Sequence, residues 1–122
     1  MTRREQLDRF LLCQELLFGY ARLQGIPIRQ GDAYRTPAQA AANAAAGTGI
    51  ANSEHRYSLA IDIWIDPTGR DPIYSPKQLL LHPEVVAQYY DLGRFWELLG
   101  ETWGGRFQRK DFCHFEIKGD PA

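Results

Sequence analysis

The amino-acid sequence predicts an α+β fold in which a small antiparallel sheet carries helices packed on one side. Helical periodicity occurs near the start of the chain and again over residues 84–99, whereas residues 59–65 and 112–118 have the pattern of strands. The order of helices, strands, helix and strands is typical of an α+β domain. A length of 122 residues suits one domain spanning residues 1–122.

A first helix is predicted over about residues 4–24. Its apolar residues recur at helical spacing on one broad face: Leu7, Phe10, Leu11, Leu17 and Tyr20. Gly25 can adopt the left-handed conformation that ends helices, and Pro27 prevents continuation. Cys13 falls within the pattern and is expected to be a small core residue. Residues 26–35 then predict a short extended or turning stretch.

A second helix is predicted to begin after Thr36, which is suited to the N-cap. Pro37 takes the first helical position and Gln39 the third, which together predict a capping box. An alanine-rich run follows, and Gly47 ends it. Residues 47–55 lack periodicity and predict a loop.

Residues 59–65 alternate cleanly and predict a strand. The aliphatic residues face one way, whereas Ala60, Asp62 and Trp64 face the other. Residues 66–69 carry a turn signal. Ser75 and Gln78 then predict a short capped helical turn.

The last third of the chain predicts an amphipathic helix over residues 84–99, ended by Gly100. Residues 103–107 (Trp-Gly-Gly-Arg-Phe) predict an extended or turning entry to the final strand at 112–118. No internal repeat or linker interrupts the pattern.

Composition excludes several classes of function. The net charge of -1 gives no strong field toward nucleic acid or a membrane surface. No apolar run approaches the roughly 18 to 20 residues that membrane insertion requires. The N-terminus lacks the pattern of a secretory signal, which predicts a chain that stays in the cytoplasm of the cell that makes it.

The two cysteines, Cys13 and Cys113, are too few for a disulfide framework. Cys113 precedes His114, so a Cys–His nucleophile is conceivable. Adjacent strand residues point to opposite faces, however, and we expect these two side chains not to meet.

Three residues could share a zinc ion. Asp62 projects from the less apolar face of its strand, where a carboxylate needs a partner. His55 lies in the preceding predicted loop, and His114 lies in an apolar strand. Two imidazoles and one carboxylate leave the fourth position of a catalytic zinc for water. The simpler alternatives are hydrogen-bonded structural histidines and a structural pairing role for Asp62.

Zinc lowers the pKa of water to near 7, and a nearby carboxylate must then accept the proton. Asp111, three residues before His114, is the best candidate. Glu116, two residues after His114, is either an orienting partner of the metal site or a solvated strand residue.

These residues resemble a known family. Ser53-Glu54-His55 followed by Leu59-Ala60-Ile61-Asp62 is similar to the S-x-H-x-x-G-x-A-x-D signature of peptidase family M15, the D-alanyl-D-alanine carboxypeptidases and L-alanyl-D-glutamate endopeptidases. Ser58 replaces the glycine. Residues 111–116 resemble the family's D-x-x-H-F-E, residues 103–107 its W-G-G-x-F, and residues 34–37 its Y-R-T-P.

The resemblance implies the D,D-peptidase fold and a role for each matching residue. His55, Asp62 and His114 correspond to the zinc ligands, and Asp111 to the catalytic acid or base. Arg35 corresponds to an arginine that faces the scissile carbonyl, where a guanidinium can stabilise an oxyanion. The alternative for Arg35 is an exposed residue before a helix.

Three further residues carry both a functional and a plainer interpretation. Ser53 is expected to position substrate or the ligand loop. Gln39 either contacts substrate or only caps its helix. Trp103, with Trp64, either walls the cleft or packs in the core, the commoner position of tryptophan.

The implied function is zinc-dependent hydrolysis of peptidoglycan stem peptides, with one zinc per chain. Cleavage falls either between L-alanine and D-glutamate or before a terminal D-alanine. Small members without a signal peptide resemble bacteriophage lysis enzymes, which act on the wall after release; we expect a monomer that neither binds nucleic acid nor enters a membrane. The alternative is a non-catalytic zinc-binding interaction module on the same fold, which would be expected to lose Asp111 or Arg35.

Overall fold

The computed structural model describes residues 1–31 and 59–117. These residues form a four-stranded antiparallel sheet, in the order β1-β2-β4-β3, with a core of helical side chains against it. The α+β prediction is therefore confirmed. The helix predicted after Thr36 and the loop at 47–55 lie outside the described residues.

Helix α1 spans Arg3–Gln24, close to the predicted bounds. Thr2 and Glu5 cap its start reciprocally, and Gly25 ends it with φ 70°. The buried stripe consists of Gln6, Phe10, Cys13, Leu17 and Ala21. The prediction that Leu11 shares this face is wrong, because Leu11 lies about 100° around the helix from Phe10 and is 57% exposed.

The sheet is built from short strands. Strand β1 spans Ile28–Gln30, β2 Ala60–Ile65, β3 Thr102–Trp103 and β4 His114–Glu116. Strand β4 is shorter than predicted because its first expected residues turn instead, with the His114 N–H donating to the Asp111 carbonyl at 3.2 Å.

Helix α2 spans Pro76–Leu81 and helix α3 spans Pro83–Leu98. The predicted capping box of Ser75 and Gln78 is present at the start of α2.

Arg9 of α1 pairs with Glu101 at 2.9 Å and also donates to the Leu99 carbonyl, which fastens α1 to the end of α3.

One face of the sheet is the core and the other carries polar groups. Alternate residues of β2 (Ile61, Ile63, Ile65) are completely buried, as the strand pattern predicts. Trp96 of α3 donates its indole N–H to the Glu116 carbonyl at 2.9 Å, which fixes α3 to β4. No helix within residues 1–31 and 59–117 has the length and apolar character needed to cross a membrane.

Candidate metal centre

Asp62 and His114 lie directly opposite each other on the polar face of the sheet. The Ile63 N–H donates to the Cys113 carbonyl at 2.8 Å, so the neighbouring pair is a hydrogen-bonded one. Because the two kinds of pair alternate, Asp62 and His114 form a non-hydrogen-bonded pair, in which opposite side chains are closest. Asp62 Oδ1 lies 3.8 Å from His114 Nδ1.

Glu116 is held against the His114 ring and does not extend into solvent. Its Oε1 lies 2.8 Å from His114 Nε2, and the two side chains are 20% and 12% exposed. An ionised carboxylate only accepts, so this contact favours the tautomer with the proton on Nε2. The lone pair then lies on Nδ1, the atom that faces Asp62. Metal-bound histidines commonly have this carboxylate partner on the other nitrogen.

The separation of Asp62 and His114 suits two ligands of one cation. At 3.8 Å the two atoms are too far apart for a hydrogen bond. Two ligands of a tetrahedral zinc with bonds of about 2.0 to 2.1 Å lie about 3.4 Å apart. The residue types and their spacing therefore fit zinc.

The third predicted ligand, His55, lies outside the described residues. Over residues 1–31 and 59–117, no group of three or more His, Cys, Asp or Glu side chains is arranged to hold a metal. The zinc triad predicted from the sequence thus has two members brought together, Asp62 and His114. The roles predicted for Arg35, Gln39 and Ser53 also fall outside the described residues.

Asp111 is exposed and sits on the turn that leads into β4. Its N–H donates to the Gly104 carbonyl at 2.9 Å, and its own carbonyl accepts from the His114 N–H. Its carboxylate Oδ1 accepts from the Cys113 thiol, with Sγ 3.3 Å away. Asp111 is thus joined by backbone and side chain to the segment that carries His114.

Cys113 is buried, and its thiol is poorly suited to act as a nucleophile. Burial is the largest of the effects that raise the pKa of its thiol. The negative charge of Asp111, and to a smaller extent that of Asp62, raises the pKa further. The thiol therefore stays protonated at neutral pH.

The Trp-Gly-Gly segment packs against the turn that leads into β4. Residues Gly104–Arg106 form a 3₁₀ turn. A Cβ on Gly104 would lie 2.4 Å from the Asp111 carbonyl oxygen and 2.9 Å from His114 Cβ, so only glycine fits there without displacement. Trp103 is completely buried and donates its indole N–H to the Phe112 carbonyl at 2.8 Å. Trp103 therefore packs in the core, which is the plainer of its two interpretations.

Sequence reasoning missed Phe107, whose ring centroid lies 5.6 Å from that of His114. Phe107 is 36% exposed, unlike Trp103 of the same motif. Its position at the end of Trp-Gly-Gly-x-Phe was the available signal. Trp64, by contrast, stacks on Tyr74 at 4.7 Å farther along the polar face.

Comparisons with known proteins bear on the family and the fold of the chain. A family model described as D-alanyl-D-alanine carboxypeptidase matches residues 46–117, more than half of the chain. A solved structure, the L-Ala D-Glu endopeptidase ChiX of Serratia marcescens, is similar with a TM-score of 0.54 and 20% identity. That similarity covers 76% of this chain and 68% of that one, and at this identity it bears on the fold alone. A search of curated proteins gave no match.

Proposed function

Because the chain belongs to the D-alanyl-D-alanine carboxypeptidase family, peptidase family M15, we propose that it is a zinc-dependent hydrolase of peptidoglycan stem peptides. The observation that carries the proposal is the opposed pair of Asp62 and His114, with Glu116 bonded to the far nitrogen of the imidazole.

In this proposal His55, Asp62 and His114 hold the zinc ion. When bound, zinc would act as a Lewis acid that polarises the peptide carbonyl and lowers the pKa of water. Glu116 keeps the His114 ring oriented for this purpose through its 2.8 Å contact with Nε2.

Asp111 transfers the proton. It accepts a proton on a carboxylate oxygen from the attacking water and donates it to the leaving amine. Its support is its exposed position on the turn next to His114. The alternative of a non-catalytic module would require no carboxylate at this position.

The remaining roles rest on family membership. We propose that Arg35 stabilises the oxyanion of the scissile carbonyl, since a guanidinium keeps its charge at all relevant pH values. Ser53 and Gln39 position the substrate or the loop that carries His55. Trp103 contributes through the core.

The proposal includes two candidate bonds. The family description names a D-alanyl-D-alanine carboxypeptidase, whereas the similar solved structure is an L-Ala D-Glu endopeptidase. We further propose a lysis role of the bacteriophage type, in which the enzyme reaches the wall after the membrane is breached.

The test is mass spectrometry of purified peptidoglycan fragments after incubation with the protein. We expect new stem-peptide fragments whose masses identify the bond, no cleavage after chelation, and recovery on addition of zinc. His114→Ala is the matched control and should be inactive at all zinc concentrations. Intact fragments with zinc-loaded protein, or cleavage unaffected by chelator, would contradict the proposal.

A further inference from the structure

The Cys113 thiol is joined to a carboxylate to which the proposed function assigns proton transfer. Cys113 Sγ lies 3.3 Å from Asp111 Oδ1. An ionised carboxylate only accepts hydrogen bonds, so the S–H is the donor. Cys113 is 8% exposed, whereas Asp111 is exposed. A buried donor thus contacts one oxygen of a solvent-facing carboxylate.

The backbone of Cys113 is itself firmly held. The Cys113 carbonyl accepts from the Ile63 N–H of β2 at 2.8 Å, which anchors the residue to the sheet. The Asp111 backbone is also fixed, because its N–H donates to Gly104 and its carbonyl accepts from His114. With its backbone fixed, Asp111 can still rotate its side chain. The hydrogen bond from the Cys113 thiol opposes that rotation.

We propose that Cys113 is a positioning residue for Asp111. Its thiol holds Oδ1, which orients the carboxylate and leaves Oδ2 to receive and deliver the proton. The inference rests on the proposed function of Asp111 but assigns Cys113 a part that family membership does not. Small errors in the placement of a proton-transfer group lower the rate, because the reaction needs an aligned donor and acceptor.

Cys13 provides a matched control. Like Cys113, it is a free cysteine, and it is completely buried. It lies in α1, however, away from the polar face of the sheet. Removing either thiol deletes the same atom from the interior. Only removal of the Cys113 thiol should affect the carboxylate of Asp111.

The first test is spectroscopic and needs neither metal nor substrate. In the Cys13→Ala variant, the remaining S–H stretching band in the infrared belongs to Cys113. We expect this band to lie at the lower frequency of a hydrogen-bonded thiol and to rise in frequency when Asp111→Ala is added. A band that Asp111→Ala leaves unchanged would overturn the proposal.

The second test is kinetic. We expect Cys113→Ala to lower kcat roughly 3- to 10-fold, the usual worth of one hydrogen bond, with KM nearly unchanged. Cys113→Ser keeps a donor and should recover most of the rate, whereas Cys13→Ala should leave kcat at the wild-type value. In an Asp111→Asn background, Cys113→Ala should cause no further loss, because residues that act through one another are not additive.

The outcomes separate the two proposals. Full kcat in Cys113→Ala, no recovery in Cys113→Ser, or an equal loss in the Asp111→Asn background would overturn the positioning role while the peptidase activity stands. A wild-type protein that cleaves no stem peptide would overturn the proposed function, and with it the kinetic role of Cys113. Thermal melting of each variant identifies any loss of rate that arises from unfolding.

Discussion

The side chains of His114 and Glu116 lie on the same face of β4, with Nε2 and Oε1 2.8 Å apart. A second His–Glu pair with the same spacing, His82 and Glu84, lies on the surface at the start of α3, with a distance of 3.1 Å. The two pairs have the same chemistry in different surroundings. Only the pair on β4 faces a further carboxylate across the sheet.

We predict that Glu116→Ala weakens zinc binding about 10- to 100-fold, the usual cost of removing the carboxylate partner of a metal-bound histidine. The dissociation constant is measured by competition with a zinc-sensitive dye. Glu84→Ala is the control and should leave zinc affinity unchanged. Equal affinities in the two variants would remove Glu116 from the metal site.

We predict that Asp111→Asn keeps the metal and loses hydrolysis. Asparagine preserves size but cannot carry the proton, and loss of a general base typically costs about 100- to 10,000-fold in rate. Zinc content and the rate of stem-peptide cleavage are measured on the same sample. Asp71→Asn, at another exposed aspartate, should have wild-type activity. Near-normal turnover in Asp111→Asn would assign proton transfer to another group.

We predict that Gly104→Ala destabilises the protein by about 1 to 3 kcal/mol, because the added Cβ meets the Asp111 backbone at 2.4 Å. Urea denaturation measures the free energy of unfolding. Gly19→Ala provides the contrast, since it lies within α1 with nothing within 4 Å of its Cβ, and should be neutral or stabilising. Equal stability of the two variants would mean that the turn adjusts freely.

The buried hydroxyl of Tyr89 makes the free energy of unfolding depend on pH in the alkaline range. Its hydroxyl donates to the Ile73 carbonyl at 2.6 Å and accepts from the Ile65 N–H at 3.0 Å. Burial raises the pKa of this phenol above its ordinary value of about 10. The folded state therefore retains a proton that the unfolded chain releases, so the stabilisation is complete below pH 10 and declines above it.

Tyr89→Phe should accordingly cost about 1 to 3 kcal/mol at pH 7. The stability difference from wild type should shrink as the pH rises beyond about 10. Denaturation at several pH values measures it, with Tyr74→Phe, a partly exposed tyrosine, as the control. A difference that stays constant up to pH 11 would contradict the assignment.

Local patterns predicted much of the fold. The bounds of α1, the capping box before α2 and the alternation of β2 all depend on short-range preferences, which a single sequence records. Strand β3 has two residues, Thr102 and Trp103, too few for any alternation to be visible. Leu11 was assigned to the buried face because it is apolar, but the buried stripe of α1 includes the polar Gln6 and leaves Leu11 exposed.

The candidate site was predictable in part. The sequence indicated that Asp62 and His114 lie on strands, but the register that sets them opposite each other depends on pairing between distant segments. The contacts of Cys113 with Asp111, and of Gly104 with the turn, depend on a turn that shortens β4. Such contacts arise from tertiary packing, for which the sequence has no periodic signal.

In the proposed site, Asp62 and His114 face each other as ligands of one metal ion. Zinc titration of metal-free protein, followed by elemental analysis, tests it most directly. We predict one tightly bound zinc per chain for wild type and greatly weakened binding for both Asp62→Ala and His114→Ala. Wild-type protein that takes up no zinc, or variants that bind it as tightly as wild type, would contradict the account.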